Sequence, residues 1–415
     1  MPDFDTAAGV LAALLVVGAL VSGIAGRSFV SLAAIYVLAG FALGEGQLGV
    51  LHFSPTSGFV TGLTVVALVV ILFRDGLEVE SELLQSAWHL PARKLVVAMP
   101  LTGAIVALGA RWLVGLPWLQ ACLLGALLCP TDPVLTSSVV TNPRVPRIIR
   151  HSLNLESGLN DGLALVFVLA FAEALIGHDF VWWQFVLENV GFGLLIGVGC
   201  GLLASWLLPR ESGLREGIPT HQRALFALGV AFGSYALAVA APHGNGFIAV
   251  FVAAIALGTR RPDIRAVFAA RSSELVEIVK LGVFVVFGSL LTLDGLFSDG
   301  WAAVGVVLIT LLVARTASIW VALAGTGLDT ATKGFIAWFG PKGVATIAFS
   351  LLVLSRSVPG ATEIFNLAAL TVITSIVAHG VTDTPGAEWI ARRAQRDDDY
   401  DWSSSSTVLK NGVEL

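Results

Sequence analysis

Long apolar stretches separated by short polar connections make up most of the chain. The majority run for roughly 18–25 residues with few charges, the length at which an α-helix crosses a bilayer. This pattern predicts thirteen membrane-spanning helices. They are placed at residues 7–25, 29–46, 58–75, 94–114, 117–140, 147–177, 182–208, 221–241, 244–259, 275–294, 300–324, 330–356 and 362–386.

Composition agrees with a chain built for lipid. Of 415 residues, 56% are hydrophobic and only 13% are charged, whereas a soluble domain carries about 25% charged residues. The 44 glycines suit helices that pack closely in a membrane. The net charge of -5 gives no reason to expect a nucleic-acid partner. We therefore predict an all-α polytopic membrane protein.

Basic residues indicate the orientation of the predicted helices. Most arginines and lysines, Lys94 among them, fall in loops on one side of the membrane, and the loops of the other side hold only Arg356. The positive-inside rule then predicts that the N-terminus is outside and the C-terminus is cytoplasmic. Four bases remain within predicted spans. Arg111 lies near an outer helix end, where its side chain can reach the membrane surface, and the other three need partners. They are Lys280, Arg315 and Lys342.

Two predicted spans are interrupted at corresponding places. The run Pro130-Thr131-Asp132-Pro133 breaks the fifth span, and Gly340-Pro341-Lys342-Gly343 breaks the twelfth. Because seven spans separate them, two six-helix halves would have opposite orientations, and such paired interruptions point to a transporter's binding site. If the broken helices cross, Asp132 can offset the positive N-terminal helix ends and Lys342 the negative C-terminal ends. Two unrelated proline kinks would not explain a charge at each break.

The sixth span carries a polar sequence within an apolar run. Ser157 lies one turn before Asp161, and Glu156 lies one turn before Asn160. At a rise of ~1.5 Å per residue, Asp161 and Asp132 reach the middle of a hydrocarbon core of roughly 30 Å. A carboxylate at that depth is costly and indicates an ion path or a proton relay. The oxygen ligands available to a monovalent cation belong to Thr131, Asp132, Ser157 and Asp161.

Three of the polar residues have competing interpretations. Asp161 can be the structural partner of an embedded base instead of an ion carrier. For Glu156, a salt bridge to Lys342 competes with ion ligation, and for Asn160 a hydrogen bond between helices competes with ligation. The embedded bases considered for Asp161 are Lys280 and Arg315.

The combination of motifs resembles the monovalent cation:proton antiporter family, in its NhaP-like branch related to animal sodium/proton exchangers. The similarity in pattern extends over residues 1–390. The matching residues are Pro130-Thr131-Asp132-Pro133, Glu156 to Gly162, Arg315 and Gly340-Pro341-Lys342-Gly343-Val344-Ala345.

The resemblance implies a thirteen-helix inverted-repeat fold in a homodimer of the cell (inner) membrane. Residues 1–390 would be the antiporter domain and 391–415 a short disordered cytoplasmic tail. Spans 1–3 and 8–10 would form the dimer and scaffold part, and spans 4–6 and 11–13 the ion-transporting core. Asp161 would carry proton and cation in turn, and no cofactor is implied. The cation ligands would be Thr131, Asp132, Ser157, Asn160 and Asp161, supported by Glu156, Arg315 and Lys342.

The expected activity is exchange of Na⁺, with Li⁺ or K⁺ as alternatives, for H⁺ by alternating access. The pair Asn160-Asp161 resembles the branch linked to electroneutral one-for-one exchange. An intramembrane aspartyl protease that uses Asp132 and Asp161 is a distant alternative, against which the paired broken helices and Lys342 argue. A passive cation channel would need a selectivity-filter repeat that this sequence does not contain.

Two departures from the family pattern bear on the site. Many relatives carry arginine where Lys342 stands, and a lysine loses its proton more easily than an arginine does. Relatives often have an acidic residue in the run matching residues 73–77. Here Arg74 precedes Asp75, so neither receives a predicted role.

Overall fold

A computed structural model describes residues 9, 12, 16, 32–79, 89–132, 137–177, 179–209, 218–241 and 244–396. These residues form helices and no strands. The first predicted span therefore lies mostly outside the described residues. The helices, in chain order, are α1 (Leu32–Leu43), α2 (Gly58–Glu78), α3 (His89–Val114), α4 (Trp118–Leu128), α5 (Ser137–Thr141), α6 (Arg147–Ile176), α7 (Trp182–Leu207), α8 (Thr220–Ala240), α9 (Gly246–Arg260), α10 (Pro262–Arg271), α11 (Ser273–Ser289), α12 (Leu293–Leu296), α13 (Gly300–Ala322), α14 (Thr330–Trp338), α15 (Val344–Ser355) and α16 (Ala361–Arg396).

Seven of these helices are long and apolar enough to cross a membrane. They are α2, α3, α6, α7, α8, α13 and α16. Shorter apolar helices, α1, α4, α9 and α15, pack among them. The prediction of an all-helical polytopic membrane protein is confirmed, whereas the count of thirteen spans stays a prediction.

Two segments differ from the sequence-based expectation. Helix α10, between the ninth and tenth predicted spans, was not predicted because its charges obscure the apolar pattern. Its first turn holds a proline and Asp263 and its last turn holds Arg271, an arrangement that suits a helix dipole. Helix α16 continues past Pro385 to Arg396, into the predicted tail, although the proline removes one backbone donor from it. The rest of that tail, 397–415, lies outside the described residues.

Both predicted interruptions are present, and they touch. Helix α4 ends at Leu128, and the chain through Asp132 is not helical. The second gap separates α14 from α15 over residues 339–343. The backbone N–H of Asp132 donates to the carbonyl of Pro341 at 2.9 Å. The two breaks therefore form one irregular junction inside the helical bundle.

Small residues let helices α1 and α11 approach at backbone distance. A Cβ atom added to Gly40 would lie 2.2 Å from the carbonyl oxygen of Val285, and one added to Gly288 would lie 2.1 Å from that of Val37. Neither position can hold a side chain unless the helices separate. Close contact of this kind is how membrane helices gain packing energy without a hydrophobic driving force.

We expect Gly40→Val to destabilise the protein because it forces α1 away from α11. Overpacking of this kind costs about 1–3 kcal/mol. The measurement is thermal unfolding of the purified protein in detergent. Gly229→Val is the matched control, since a Cβ at that glycine of α8 meets nothing within 4 Å. An equal melting temperature for both variants would contradict the packing interpretation.

Candidate functional site

Each interruption carries a charge that faces the helix end of the other. The Lys342 ammonium donates to the carbonyls of Cys129, at 3.4 Å, and Pro130, at 3.1 Å, just after α4 ends. Asp132 Oδ2 accepts from the N–H of Val344, the first residue of α15, at 3.2 Å. A cation thus lies at a negative helix end and an anion at a positive one. These contacts agree with the arrangement predicted for Lys342 and Asp132.

Asn160 connects helix α6 to the first interruption. Its Nδ2 donates to both the carbonyl and the hydroxyl oxygen of Thr131, each at 3.0 Å. The Thr131 hydroxyl also lies 3.4 Å from Glu156 Oε1. Of the two interpretations left open for Asn160, the geometry favours a hydrogen bond between segments. Its Oδ1 is buried and has no hydrogen-bond partner within the described structure.

Glu156 binds two buried cations, and neither is Lys342. Lys94 Nζ lies 2.8 Å from Glu156 Oε2, and Arg315 Nη1 lies 2.6 Å from Oε1. Arg315 Nη2 adds a second contact to Oε2 at 3.2 Å. The predicted pair of Glu156 with Lys342 is therefore wrong, because Lys342 reaches the α4 carbonyls instead. The interpretation of Lys94 as a loop residue is also wrong, since it is only 1% exposed.

The two partners of Glu156 lie at widened, π-helical turns. Lys94 is the first residue of the π turn at residues 94–98 in α3, and Arg315 directly follows the one at 309–314 in α13. Such turns often occur at functional sites, where they interrupt the regular helical hydrogen-bond pattern. Hydrophobic periodicity does not reveal them. The sequence feature that could have indicated the burial of Lys94 is its position as the first residue of an apolar run.

Asp161 lies beside a second carboxyl group that sequence analysis gave no role. Asp161 is 5% exposed, and its Oδ1 has no hydrogen-bond partner in the part of the chain that the structure describes. Its side chain interacts with that of Asp75 from α2. A Cβ at Gly158, one turn before Asp161, would lie 3.5 Å from the Asp75 carbonyl oxygen. The two helices therefore meet where these carboxyl groups meet.

Asp75 is held from its other side by a base. Arg74 donates to Asp75 Oδ1 through Nη2, at 2.7 Å, and through Nε, at 3.0 Å. Arg74 also lies 3.6 Å from Glu78. Sequence analysis gave Asp75 no role, and the structure shows that it is buried. The sequence feature that could have revealed a role for Asp75 is its position as an acidic residue within the apolar run of the third predicted span.

The structure brings most of the predicted site residues to one place. Asp161 makes no ion pair with Lys280 or Arg315 in the described structure, so the structural pair considered for it is not supported. The side chain of Ser157 lies outside the described residues. The residues that meet at the junction of α6 with the interruptions are Thr131, Asp132, Asn160 and Asp161.

Comparison with known proteins identifies the family. The model of the transmembrane sodium/hydrogen exchanger family matches residues 11–389. This chain belongs to that family. The resemblance predicted from the interrupted spans and the acidic helix is thereby confirmed.

Several curated antiporters of this family are similar in sequence. The K⁺/H⁺ antiporter NhaP of Alkalimonas amylolytica is 26% identical over 389 residues, which are 92% of this chain and 66% of that relative. The Na⁺/H⁺ antiporter NhaG of Bacillus atrophaeus is 29% identical over 362 residues, covering 81% of this chain and 67% of the relative. This chain thus spans about two thirds of the length of these relatives.

A solved exchanger structure has the same fold. The sodium proton antiporter MjNhaP1 from Methanocaldococcus jannaschii superposes with a TM-score of 0.79 at 18% sequence identity. The match covers 94% of this chain and 100% of that structure.

We expect Glu156→Gln to destabilise the fold because it leaves two cations buried without their anion. Breaking a buried ion pair costs about 3–5 kcal/mol. Lys94→Met should lower the stability of the fold by less than Glu156→Gln does, since Arg315 still binds Glu156. Thermal unfolding of the single variants and the double variant would give the coupling energy between Glu156 and Lys94.

The control for this series is Glu388→Gln. Glu388 lies 3.7 Å from Arg392 with both side chains more than half exposed, so its loss should change stability little. If Glu156→Gln unfolds at the same temperature as Glu388→Gln, the buried network does not stabilise the protein.

Proposed function

We propose that this protein exchanges a monovalent cation for protons across a membrane, with Asp161 as the shared carrier. The observation that carries this proposal is the buried Oδ1 of Asp161, which has no hydrogen-bond partner within the described structure and lies beside the paired interruptions. A buried acceptor oxygen without a partner is costly. Binding a proton and a cation in turn would give this oxygen a partner and offset that cost.

The ligands proposed for the cation are oxygen atoms from three parts of the fold. The first interruption supplies Thr131 and Asp132, and α6 supplies Ser157 and Asp161. Asp75 from α2 adds a second carboxyl group beside Asp161. Asn160 holds Thr131 in place through its two hydrogen bonds. Glu156, Arg315 and Lys342 would support the site without touching the cation.

Competition for one carboxylate is sufficient for exchange. A proton and a monovalent cation add the same charge to Asp161, so trading one for the other moves no net charge. We therefore propose electroneutral, one-for-one exchange by alternating access. Na⁺ is our proposed substrate. K⁺ is the second candidate because relatives include antiporters named for K⁺ as well as for Na⁺.

The proposed architecture has thirteen spans in two inverted six-helix repeats, with the N-terminus outside. Spans 4–6 and 11–13, which hold the interruptions and α6, would move as a core past a scaffold of spans 1–3 and 8–10. Two copies would assemble through the scaffold in the inner membrane. The contacts of Lys342 and Asp132 across the interruptions support a core that moves as a unit.

We expect Asp161→Asn to abolish exchange while leaving the fold intact. Asparagine keeps the size of the side chain but cannot trade a proton for a cation. The measurement is cation-driven proton movement in proteoliposomes containing a trapped pH dye, with melting temperature and gel-filtration profile as checks of folding. Asp179→Asn, at an exposed position in the loop after α6, is the matched control. Normal exchange by Asp161→Asn would overturn the proposed carrier.

Clamping the membrane potential tests the proposed stoichiometry. We expect a zero-potential clamp to leave the exchange rate unchanged, because one charge moves in each direction. Na⁺ and Li⁺ are added in turn while valinomycin and balanced K⁺ hold the potential at zero, and K⁺ is added to vesicles without valinomycin. A rate that responds to the clamp would contradict electroneutral exchange. Proton movement with K⁺ and none with Na⁺ would replace the proposed substrate by K⁺.

A further inference from the structure

A large apolar groove lies between α14 and the last part of α16, and none of the proposed cation ligands lines it. Its volume is about 650 Å³, within the range of pockets that bind ligands of small-molecule size. The walls are almost entirely apolar and rich in aromatic rings. Its lining includes Gly334, Phe335, Trp338, Phe339, Pro385 and Trp389.

The aromatic walls are fixed by contacts among themselves. The ring centroid of Phe335 lies 4.3 Å from that of Phe339 and 6.4 Å from that of Trp389, whose ring is nearly parallel. Trp338 donates its indole N–H to the Thr382 hydroxyl at 2.9 Å. The polar atom of Trp338 is thus satisfied within the protein, and its ring is left as an apolar surface.

Two glycines keep the groove open. A Cβ at Gly334 would meet nothing within 4 Å, so this position of α14 faces free space. A Cβ at Gly386 would lie 2.3 Å from the ring of Phe339, so that glycine lets the aromatic wall lie against α16. A side chain at position 334 would fill the groove without displacing protein atoms.

The predicted span 362–386 ends within the groove, so we expect the groove to lie where the hydrocarbon core of a membrane gives way to headgroups. At a rise of ~1.5 Å per residue, the part of α16 that lines the groove, from Val381 to Trp389, begins about 30 Å along the helix from Ala361. That distance equals the thickness of a typical hydrocarbon core of roughly 30 Å. Tryptophans such as Trp338 and Trp389 are enriched at this level.

Two arginines extend the same face of α16 beyond the groove. Arg392 and Arg393 follow Trp389 by three and four residues, so they lie on its side of the helix. Arg392 lies 3.7 Å from Glu388 and Arg393 lies 3.5 Å from Asp329. All four side chains are about one-third exposed or more, and ion pairs in such positions are weak. The arginines can therefore also bind an anion at the headgroup level.

We propose that this groove binds one acyl chain of an anionic phospholipid whose headgroup is held by Arg392 and Arg393. The apolar walls match the chain, and the basic end matches a negatively charged headgroup. The inference concerns a surface that Asp161 does not line. It can therefore be tested by lipid binding alone, whether or not the proposed exchange is correct.

A lipid in this position would stabilise the second interruption. The second interruption is already joined to α16 by the N–H of Lys342, which donates to the Ser375 hydroxyl at 2.8 Å. Helix α14 is joined to α16 at its last residue, because a ring nitrogen of His379 lies 2.8 Å from the Trp338 carbonyl oxygen. An acyl chain between the same two helices would add contacts to both. We therefore expect the bound lipid to raise the melting temperature of the protein.

The test is native mass spectrometry of the full chain titrated with palmitoyl-oleoyl phosphatidylglycerol or phosphatidylcholine. We expect one phosphatidylglycerol to bind in preference to phosphatidylcholine. Gly334→Phe should abolish that binding by filling the groove. Arg392→Gln and Arg393→Gln should each weaken phosphatidylglycerol binding about fivefold and leave phosphatidylcholine binding unchanged.

The matched controls change the same residue types elsewhere. Gly199→Phe on α7 adds a ring where a Cβ also meets nothing within 4 Å. Lys333→Gln removes a positive charge from the face of α14 directed away from Phe335 and Trp338. Both controls should keep the lipid.

Three results would overturn the proposal. They are equal binding of both lipids, retention of phosphatidylglycerol by Gly334→Phe, or equal loss of binding in Gly334→Phe and Gly199→Phe. Dissociation of a dimer by Gly334→Phe with the lipid retained would assign the groove to a second copy of the chain. If Gly334→Phe fails to fold, the arginine variants decide the outcome, because they change only exposed side chains.

Discussion

Helix ends that stop inside a membrane need partners, and the two interruptions of this chain supply partners to each other. Water in the hydrocarbon region cannot satisfy the carbonyls at the end of α4 or the N–H groups at the start of α15. The second interruption provides Lys342 for those carbonyls, and the first provides Asp132 for the N–H of Val344. Since each break satisfies the other, neither would be stable alone. The irregular junction therefore exists only as a pair.

The network around Glu156 holds this junction against the regular helices. Lys94 from α3 and Arg315 from α13 both bind Glu156 of α6, and the Thr131 hydroxyl lies 3.4 Å from the same carboxylate. Removing one member of a buried charge group leaves another charge uncompensated. The network therefore fixes α6, and with it Asp161, relative to the first interruption.

Local sequence patterns predict the broken helices and the placement of Asp132 and Lys342 at their ends, but not the partners of Glu156. The helix predicted at 147–177 is observed as α6, and proline or glycine inside an apolar run marked both breaks. The partners of Glu156 lie 62 and 159 residues away in the chain, so only the packing of α3, α6 and α13 determines them. Asp75 was missed for the same reason, because its burial against Asp161 depends on how α2 meets α6.

The distribution of buried bases has a direct consequence for the proposed exchange. A base tethered to the fold and paired with Asp161 would act as an internal competitor at high effective concentration, and a transported cation would have to displace it. Arg315 is instead bound to Glu156, and Lys342 to the carbonyls of α4. Arg315 and Lys342 are thus engaged by groups that have no proposed part in binding the cation, whereas Arg74 is bound to Asp75 beside Asp161. The contacts that stabilise the junction are therefore also the ones that keep Arg315 and Lys342 from pairing with Asp161.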